Sequence, residues 1–332
     1  MIRLVVDAMG SDNAPEPEVL GVVEALKANP DLRVSLVGEP ARIKPMLPAS
    51  LPAGLELVEA ASVVQSHEKA TKALRHKRDS SIAIGLREVG QAKADGFISA
   101  GNTGAVMAFA MKELGLIPGV ERPGIAAFFP RVQGGYNLII DVGATVDTKP
   151  NQLEQFAIMG SVVYQHMFGV KNPSVGLLNL GEEAVKGNSV VLKTRELLEK
   201  RKGLNFTGYV EGHELLCSKA HVVVTDGFVG NVVLKFGEGV VSALFKFLKQ
   251  EVRSKPEALL GGLLMKRAIT GLRSKVDFEE YGGAPLLGVN GLVLICHGRS
   301  SPRAVKNATR TLSALRDTGL IEHMREEIAK TL

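Results

Sequence analysis

Residues 97–114, FISAGNTGAVMAFAMKEL, contain one complete structural unit. Phe97 to Ser99 is a short apolar run bounded by small residues, the pattern of a buried strand. Ser99-Ala-Gly-Asn-Thr-Gly-Ala105 follows as a turn, with glycines that allow close backbone approach and polar residues able to cap the next element. Gly104 to Leu114 then carries the apolar spacing of a helix. The unit recurs. Strand-like runs lie at Ile2 to Val6, Val34 to Val37, Leu55 to Val58, Leu138 to Ile140, Val175 to Leu178, Val222 to Thr225 and Leu292 to Cys296. Helical patterns lie at Glu18 to Lys27, Ser81 to Lys93, Gln152 to Phe168, Val190 to Lys200, Val232 to Lys249 and Ala304 to Leu315. Such alternation implies an α/β fold with a largely parallel sheet covered by helices. No tandem repeat and no long Ser, Gly or Pro linker breaks the order, so residues 1–332 read as one α/β domain.

Composition narrows the class. With 45% apolar and 23% charged residues, the chain has the make-up of a globular protein and not of a disordered one. The 40 Lys and Arg exceed the 35 Asp and Glu by a formal +5, too small an excess to indicate nucleic acid. Cys217 and Cys296, far apart in sequence, exclude a disulfide framework or a zinc knuckle and suit a reducing compartment. MIRLVVDAMG lacks the basic start and apolar run of a signal peptide, and no apolar stretch reaches about 18 residues, so nothing is expected to span a membrane. A cytoplasmic protein is the expectation.

Open α/β sheets hold ligands beyond the carboxyl ends of their strands. Those positions are small and polar here: Asp7 to Pro15 (DAMGSDNAP), Ser99 to Ala105, Asp141-Val-Gly-Ala144, Asn179-Leu-Gly-Glu-Glu183, Asp226 to Asn231 (DGFVGN) and His297-Gly-Arg-Ser-Ser301. A glycine loop that opens a helix points N–H groups at an anion, and phosphate is the simplest guest. Gly10, Ser99, Gly101, Asn102, Thr103, Asp141, Gly143, Gly181, Gly227 and Ser300 are the candidate phosphate or substrate contacts. Four residues are candidates for the chemistry itself. His297 follows an apolar strand and precedes two hydroxyl residues, which suits proton transfer or a packed, capping histidine. Lys186 can neutralise phosphate or simply be solvated; Asp226 and Asn231 can orient a nucleophile or cap the following helix.

Several familiar signatures are missing. Gly181 to Ser189 reads GEEAVKGNS, with Lys186-Gly187 reversed relative to a P-loop, and no G-x-G-x-x-G follows a strand. His213-Glu-Leu-Leu-Cys217 lacks a zincin's second histidine, and no G-x-S-x-G is present. No metal or cofactor is expected.

Two outlying stretches point to partners. HEKATKALRHKRD (67–79) gathers Lys69, Lys72, Arg75, Lys77 and Arg78 against two acids, a dock for an acidic protein or a solvated helix face. In Lys255 to Lys275, an apolar run containing Leu259, Leu260, Leu263, Leu264 and Met265 is bordered by Lys266, Arg267, Arg273 and Lys275. A helix there places leucines beside cations, as in a segment lying on an anionic bilayer; dimer packing or a core helix are the plainer readings. The protruding amphipathic segment is expected at about 250–278.

Taken in order, DAMGSDNAP (7–15), SAGNTGA (99–105), DVGA (141–144), NLGEEAVKGN (179–188), TDGFVGN (225–231), GGAPLLGVNG (282–291) and CHGRSS (296–301) resemble the PlsX family of phosphate acyltransferases over essentially the whole chain. The resemblance implies a Rossmann-like α/β/α sandwich, similar to phosphotransacetylases and to isocitrate and isopropylmalate dehydrogenases. It implies transfer of a fatty acyl group from acyl carrier protein to inorganic phosphate, yielding acyl phosphate for a membrane-bound glycerol-3-phosphate acyltransferase in phospholipid synthesis. It implies a homodimer at the membrane periphery, with 255–275 as membrane contact and the 67–79 stretch as carrier dock. On this basis phosphate is expected among Gly101, Asn102, Thr103 and Lys186, with Asp226, Asn231 and His297 orienting it or protonating the departing thiolate. The chain departs from the family pattern at Ser11-Asp12-Asn13 and at Thr145, where Asn is usual, so no role of an Asn at 145 carries over. Two other readings stay open. A nicotinamide-dependent decarboxylating dehydrogenase needs metal-binding carboxylates and substrate arginines that do not assemble here; a non-catalytic carrier-protein scaffold has no need of six polar strand-end loops.

Overall fold

Every strand run named above forms a strand in the computed structural model, which describes residues 1–254, 256–276 and 278–331. The strands are β1 (Ile2–Asp7), β2 (Leu32–Gly38), β3 (Leu55–Glu59), β4 (Gly96–Ser99), β5 (Gly124–Pro130), β6 (Tyr136–Ile140), β7 (Ser174–Asn179), β8 (Asn205–Glu211), β9 (Val222–Val224), β10 (Ala284–Leu287) and β11 (Leu292–Ile295). The helices are α1 (Glu16–Ala28), α2 (Pro40–Ile43), α3 (Ala70–His76), α4 (Ser81–Gly90), α5 (Thr103–Glu113), α6 (Pro150–Phe168), α7 (Ser189–Lys200), α8 (Gly227–Ser254), α9 (Pro256–Lys275), α10 (Pro302–Arg316) and α11 (Leu320–Ala329). Sequence pattern alone does not show β5, β8 or β10. Strand β8 (NFTGYVE) is a partly exposed edge strand interrupted by glycine, and β10 has only four residues between glycine turns.

All the strands join one sheet in the order β3-β2-β1-β4-β11-β10-β5-β6-β9-β7-β8. Alternate side chains enter opposite cores, as the strand period of two requires. Leu4, Val6, Ile98, Leu138, Ile140, Val222 and Val224 pack on one face with residues of α1, α6, α10 and α11. Val5, Phe97, Ile139, Val223 and Val293 pack on the other with residues of α4 and α5. The result is an α/β/α sandwich.

Strand direction positions the loops. β1 runs parallel to β2 and β4, and β4 to β11. Strand β10 is antiparallel to both β11 and β5, and β5 is antiparallel to β6. From β6 the sheet continues parallel through β9 and β7 to β8. Three reversals in succession turn the second parallel set against the first. Consequently the carboxyl ends of β1, β4 and β11 lie at one end of the strands and those of β6, β9 and β7 at the other.

Helix α8 is anchored in its first part: Gly227 and Gly230 are buried, and Val233 and Leu234 pack, partly buried, against the core. Beyond them Phe236, Leu244 and Phe247 are exposed, as are Leu259, Leu260, Leu263, Leu264 and Met265 on α9, and a β-carbon at Gly262 of α9 would touch Val252 of α8. Together they form the amphipathic segment expected near 250–278, of which Lys255 and Asp277 lie outside the described residues. By length and composition α8 is apolar enough to cross a membrane, which a search for uninterrupted apolar runs misses because Lys235, Glu238 and Lys246 punctuate it.

The anchor is steric. A β-carbon at Gly230 would lie 1.9 Å from the backbone oxygen of Asp141, so nothing larger than glycine fits without moving the start of α8. Gly230→Ala is expected to cost about 2 kcal/mol or more, read as a lower urea midpoint; an unchanged midpoint would contradict this packing.

Candidate functional site

Asp141, fully buried at the end of β6, organises the loop that follows. Its carboxylate accepts from the backbone N–H groups of Ile125 (2.9 Å), Gly143 (3.0 Å), Ala144 (2.9 Å) and Thr145 (2.6 Å). Burial raises its pKa above the usual carboxylate range, and these amides pull it back. Both oxygens of Asp141, read above as a phosphate contact, are thus engaged by backbone amides and shape the loop. Gly143 holds φ at +139°, and the first thing a β-carbon there would meet is the side chain of Asn231, at 3.6 Å. Among the described residues the Asn231 amide has no hydrogen-bond partner. The stretch read as a loop, 226–231, is already helical from Gly227, so Asn231 sits in the second turn of α8. Asp226 caps that helix, its Oδ1 accepting from Val229 N–H at 2.9 Å. Gly227 is a spacer, since a β-carbon would stand 2.6 Å from Asp141 Oδ2.

On the neighbouring strand, Asn179 closes the 179–188 loop by donating to the carbonyls of Gly181 (3.0 Å) and Lys186 (2.9 Å). Lys186 Nζ lies 2.7 Å from Glu183 Oε1, and that hydrogen bond lowers the Glu183 pKa below its ordinary value. Both side chains are about half exposed, so a dissolved anion can compete for the ammonium. Gly181 makes room for the lysine stem, because a β-carbon would come within 2.5 Å of Lys186 Cδ. Since β6, β9 and β7 are neighbours, Gly143, Asp226, Asn231 and Lys186 share one end of the sheet.

The other predicted residues gather at the opposite end and are largely self-satisfied. Ser99 Oγ donates to buried Asp7 (2.7 Å) and accepts from Gly101 N–H (3.0 Å). Asn102 caps α5 through Ala105 N–H (2.9 Å), while its Nδ2 donates to the carbonyls of Gln65, Ser66 and Glu68. Gly10 lets the loops after β1 and β4 touch, for a β-carbon would be 2.6 Å from Gly101 N. Ser300 is buried and its N–H donates to His297 O (2.9 Å). In Ser99, Gly101 and Asn102, read above as phosphate contacts, these polar groups hold loops together. Thr103 and His297 remain exposed, with His297 Nδ1 accepting from Arg299 N–H (3.0 Å). The expected pocket of Gly101, Asn102 and Thr103 with Lys186, Asp226, Asn231 and His297 does not form within one chain, because its halves leave opposite strand ends. Among the described residues no three His, Cys, Asp or Glu side chains converge as metal ligands.

The family whose model matches residues 2–323 is described as "Fatty acid synthesis protein". Phosphate acyltransferases of Desulfitobacterium hafniense (strain Y51) and Heliobacterium modesticaldum are 44% and 46% identical to this chain, covering 99% and 93% of it and 98% and 92% of themselves. The chain belongs to the PlsX family of phosphate acyltransferases. It is thereby an acyltransferase enzyme, which displaces both the dehydrogenase and the scaffold readings. A phosphotransacetylase from Streptococcus pyogenes shares the fold (TM-score 0.63, 16% identity, 95% of this chain and 94% of that one). So does a 4-hydroxythreonine-4-phosphate dehydrogenase from Klebsiella pneumoniae (TM-score 0.57, 13% identity, 95% and 99%), so fold alone does not separate the two chemistries.

In this acyltransferase the basic stretch forms α3, beside the Asn102 loop. Lys69, Lys72, Arg75 and Arg78 are exposed. Lys77 is engaged within the chain, its Nζ donating to Val63 O (2.5 Å) and Glu68 Oε1 (2.6 Å).

Sequence reasoning passed over Glu18, which nothing distinguishes from a surface acid inside a helical pattern. It is buried, with Oε1 accepting from Ser11 N–H (2.9 Å). Burial, with a smaller push from the Asp7 charge, lifts its pKa from 4.5 to about 7. Because the folded state disfavours the ionised form, stability falls as pH rises from 4.5 through about 7, by about 3 kcal/mol in all. Glu18→Gln is expected to abolish that fall, matching wild type in urea unfolding at about pH 4.5 and exceeding it at about pH 8. A gain of equal size at both values would show that ionisation is not the cause.

Proposed function

We propose that this enzyme transfers a fatty acyl group from acyl carrier protein to inorganic phosphate, forming acyl phosphate for phospholipid synthesis. What supports the proposal, beside family membership, is that an exposed ammonium (Lys186) shares one end of the sheet with an unpartnered amide (Asn231), an open glycine face (Gly143) and the start of α8. Phosphate is already an anionic nucleophile, so the protein needs to hold it, partly desolvate it and stabilise the oxyanion. In this reading phosphate displaces Glu183 from Lys186 and accepts from the Asn231 amide, with the positive end of the α8 dipole favouring its charge. A phosphate oxygen attacks the thioester carbonyl carbon, the tetrahedral oxyanion collapses with breakage of the C–S bond, and the thiolate leaves and takes up a proton. His297 is the exposed imidazole suited to give that proton.

His297 and Lys186 lie at opposite strand ends, so a homodimer supplies the missing half: the Lys186 corner of one copy faces the His297 loop of the other. The exposed cations of α3 stand at the His297 end, where they suit an acidic carrier protein. The exposed leucines of α9, with Lys266 and Arg267, suit peripheral contact between a cytoplasmic enzyme and an anionic bilayer, where a glycerol-3-phosphate acyltransferase takes up the product.

The test is a hydroxylamine trap for acyl phosphate after incubation with palmitoyl-acyl carrier protein and phosphate, without nucleotide or metal; phosphate-dependent product is expected, and its absence from folded protein would reject the donor or the acceptor. Lys186→Ala should lower turnover about 100-fold. Co-refolded Lys186→Ala and His297→Ala chains should regain about a quarter of wild-type activity if the site is shared between copies, and none if each copy works alone. Leu263→Glu with Leu264→Glu should abolish liposome binding while leaving activity in solution intact; loss of both would place these leucines in the acyl channel or the fold.

A further inference from the structure

A cavity apart from the Lys186 corner lies at the amino ends of β7 and β8, between α6, α11 and the 171–173 and 201–205 loops. Its volume is about 170 Å³, several times the roughly 30 Å³ share of one water. Three cations line it, Lys171, Arg201 and Lys202, together with His323 and Gln165. Arg201 is only loosely balanced, 3.9 Å from Glu154. The one acid among the described lining residues, Glu327, is paired with Lys330 and lies 3.7 Å from His323. A second observation points into the same space. Ser161 lines the cavity, and its hydroxyl, buried without a hydrogen-bond partner, carries a cost that a ligand oxygen would remove once the side chain turns toward the cavity.

We infer that this cavity binds a small phosphate monoester, its dianion held by Lys171, Arg201 and Lys202 and one oxygen bonded to Ser161. Phosphate chemistry fits because a tetrahedral dianion offers enough acceptors to meet three cations and a hydroxyl at once, and the volume beyond the phosphate accommodates a short polar carbon fragment. The site stands at the other end of β7 from Lys186, so occupancy is separate from catalysis and independent of how that corner works.

Calorimetric titration of the whole enzyme with glycerol 2-phosphate, in phosphate-free buffer, tests this. One binding event per chain is expected in wild type, and Lys186→Ala should keep its affinity within about twofold. The Lys171→Glu/Lys202→Glu variant, altered only in exposed loop residues, should lose at least about tenfold, and Ser161→Ala several-fold. No binding to wild type would overturn the proposal. So would loss in Lys186→Ala with retention in the loop variant, which places the anion at the other site. An unchanged affinity in Ser161→Ala, with loss in the loop variant, would show a diffuse surface attraction and reject the cavity.

Discussion

Three consecutive antiparallel pairings, β11 to β10, β10 to β5 and β5 to β6, determine where everything else in this molecule lies. In a fully parallel sheet all glycine loops would leave at one end of the strands and converge on one crevice. Here the central reversals send the loops after β1, β4 and β11 one way and those after β6, β9 and β7 the other. A single chain therefore presents two half-sites, and the polar groups in each have had to find separate partners.

The partners differ between the ends. At the β1–β4–β11 end, Asp7, Ser99, Gly101 and Asn102 bond to one another and to neighbouring backbone, which makes a rigid platform with little chemical surplus. At the β6–β9–β7 end the largest electrostatic demand, the buried Asp141 carboxylate, is met wholly by backbone amides. That arrangement releases Asn231 and Lys186 from structural duty.

A long helix extends from the β6–β9–β7 end. Helix α8 starts against Asp141 and runs outward with its apolar residues exposed, then returns as α9. A surface that covers these residues, lipid or protein, would lie along a helix whose base is packed against Asp141 at Gly227 and Gly230.

Much of this was legible in the residues. The α/β class, most strands, and the six polar loops follow from apolar periodicity and glycine placement, because both are local properties of the chain. So does family membership, since ordered motifs survive in sequence. Strand direction is not local. Nothing in APLL (284–287) or GIAAFFP (124–130) states that these segments pair antiparallel in the middle of the sheet, yet that pairing separates His297 from Lys186. Nor does an aspartate announce whether amides or ligands will fill its oxygens: Asp141 and Asp226 look alike in sequence, and burial alone made one a scaffold and left the other a cap. The same is true of Glu18, an ordinary helix acid until α1 packs against α10 and removes its water. Sequence by itself determined which elements form and which chemical groups are at hand; tertiary structure decided which groups meet, because pairing, burial and direction are set by contacts between residues far apart in the chain.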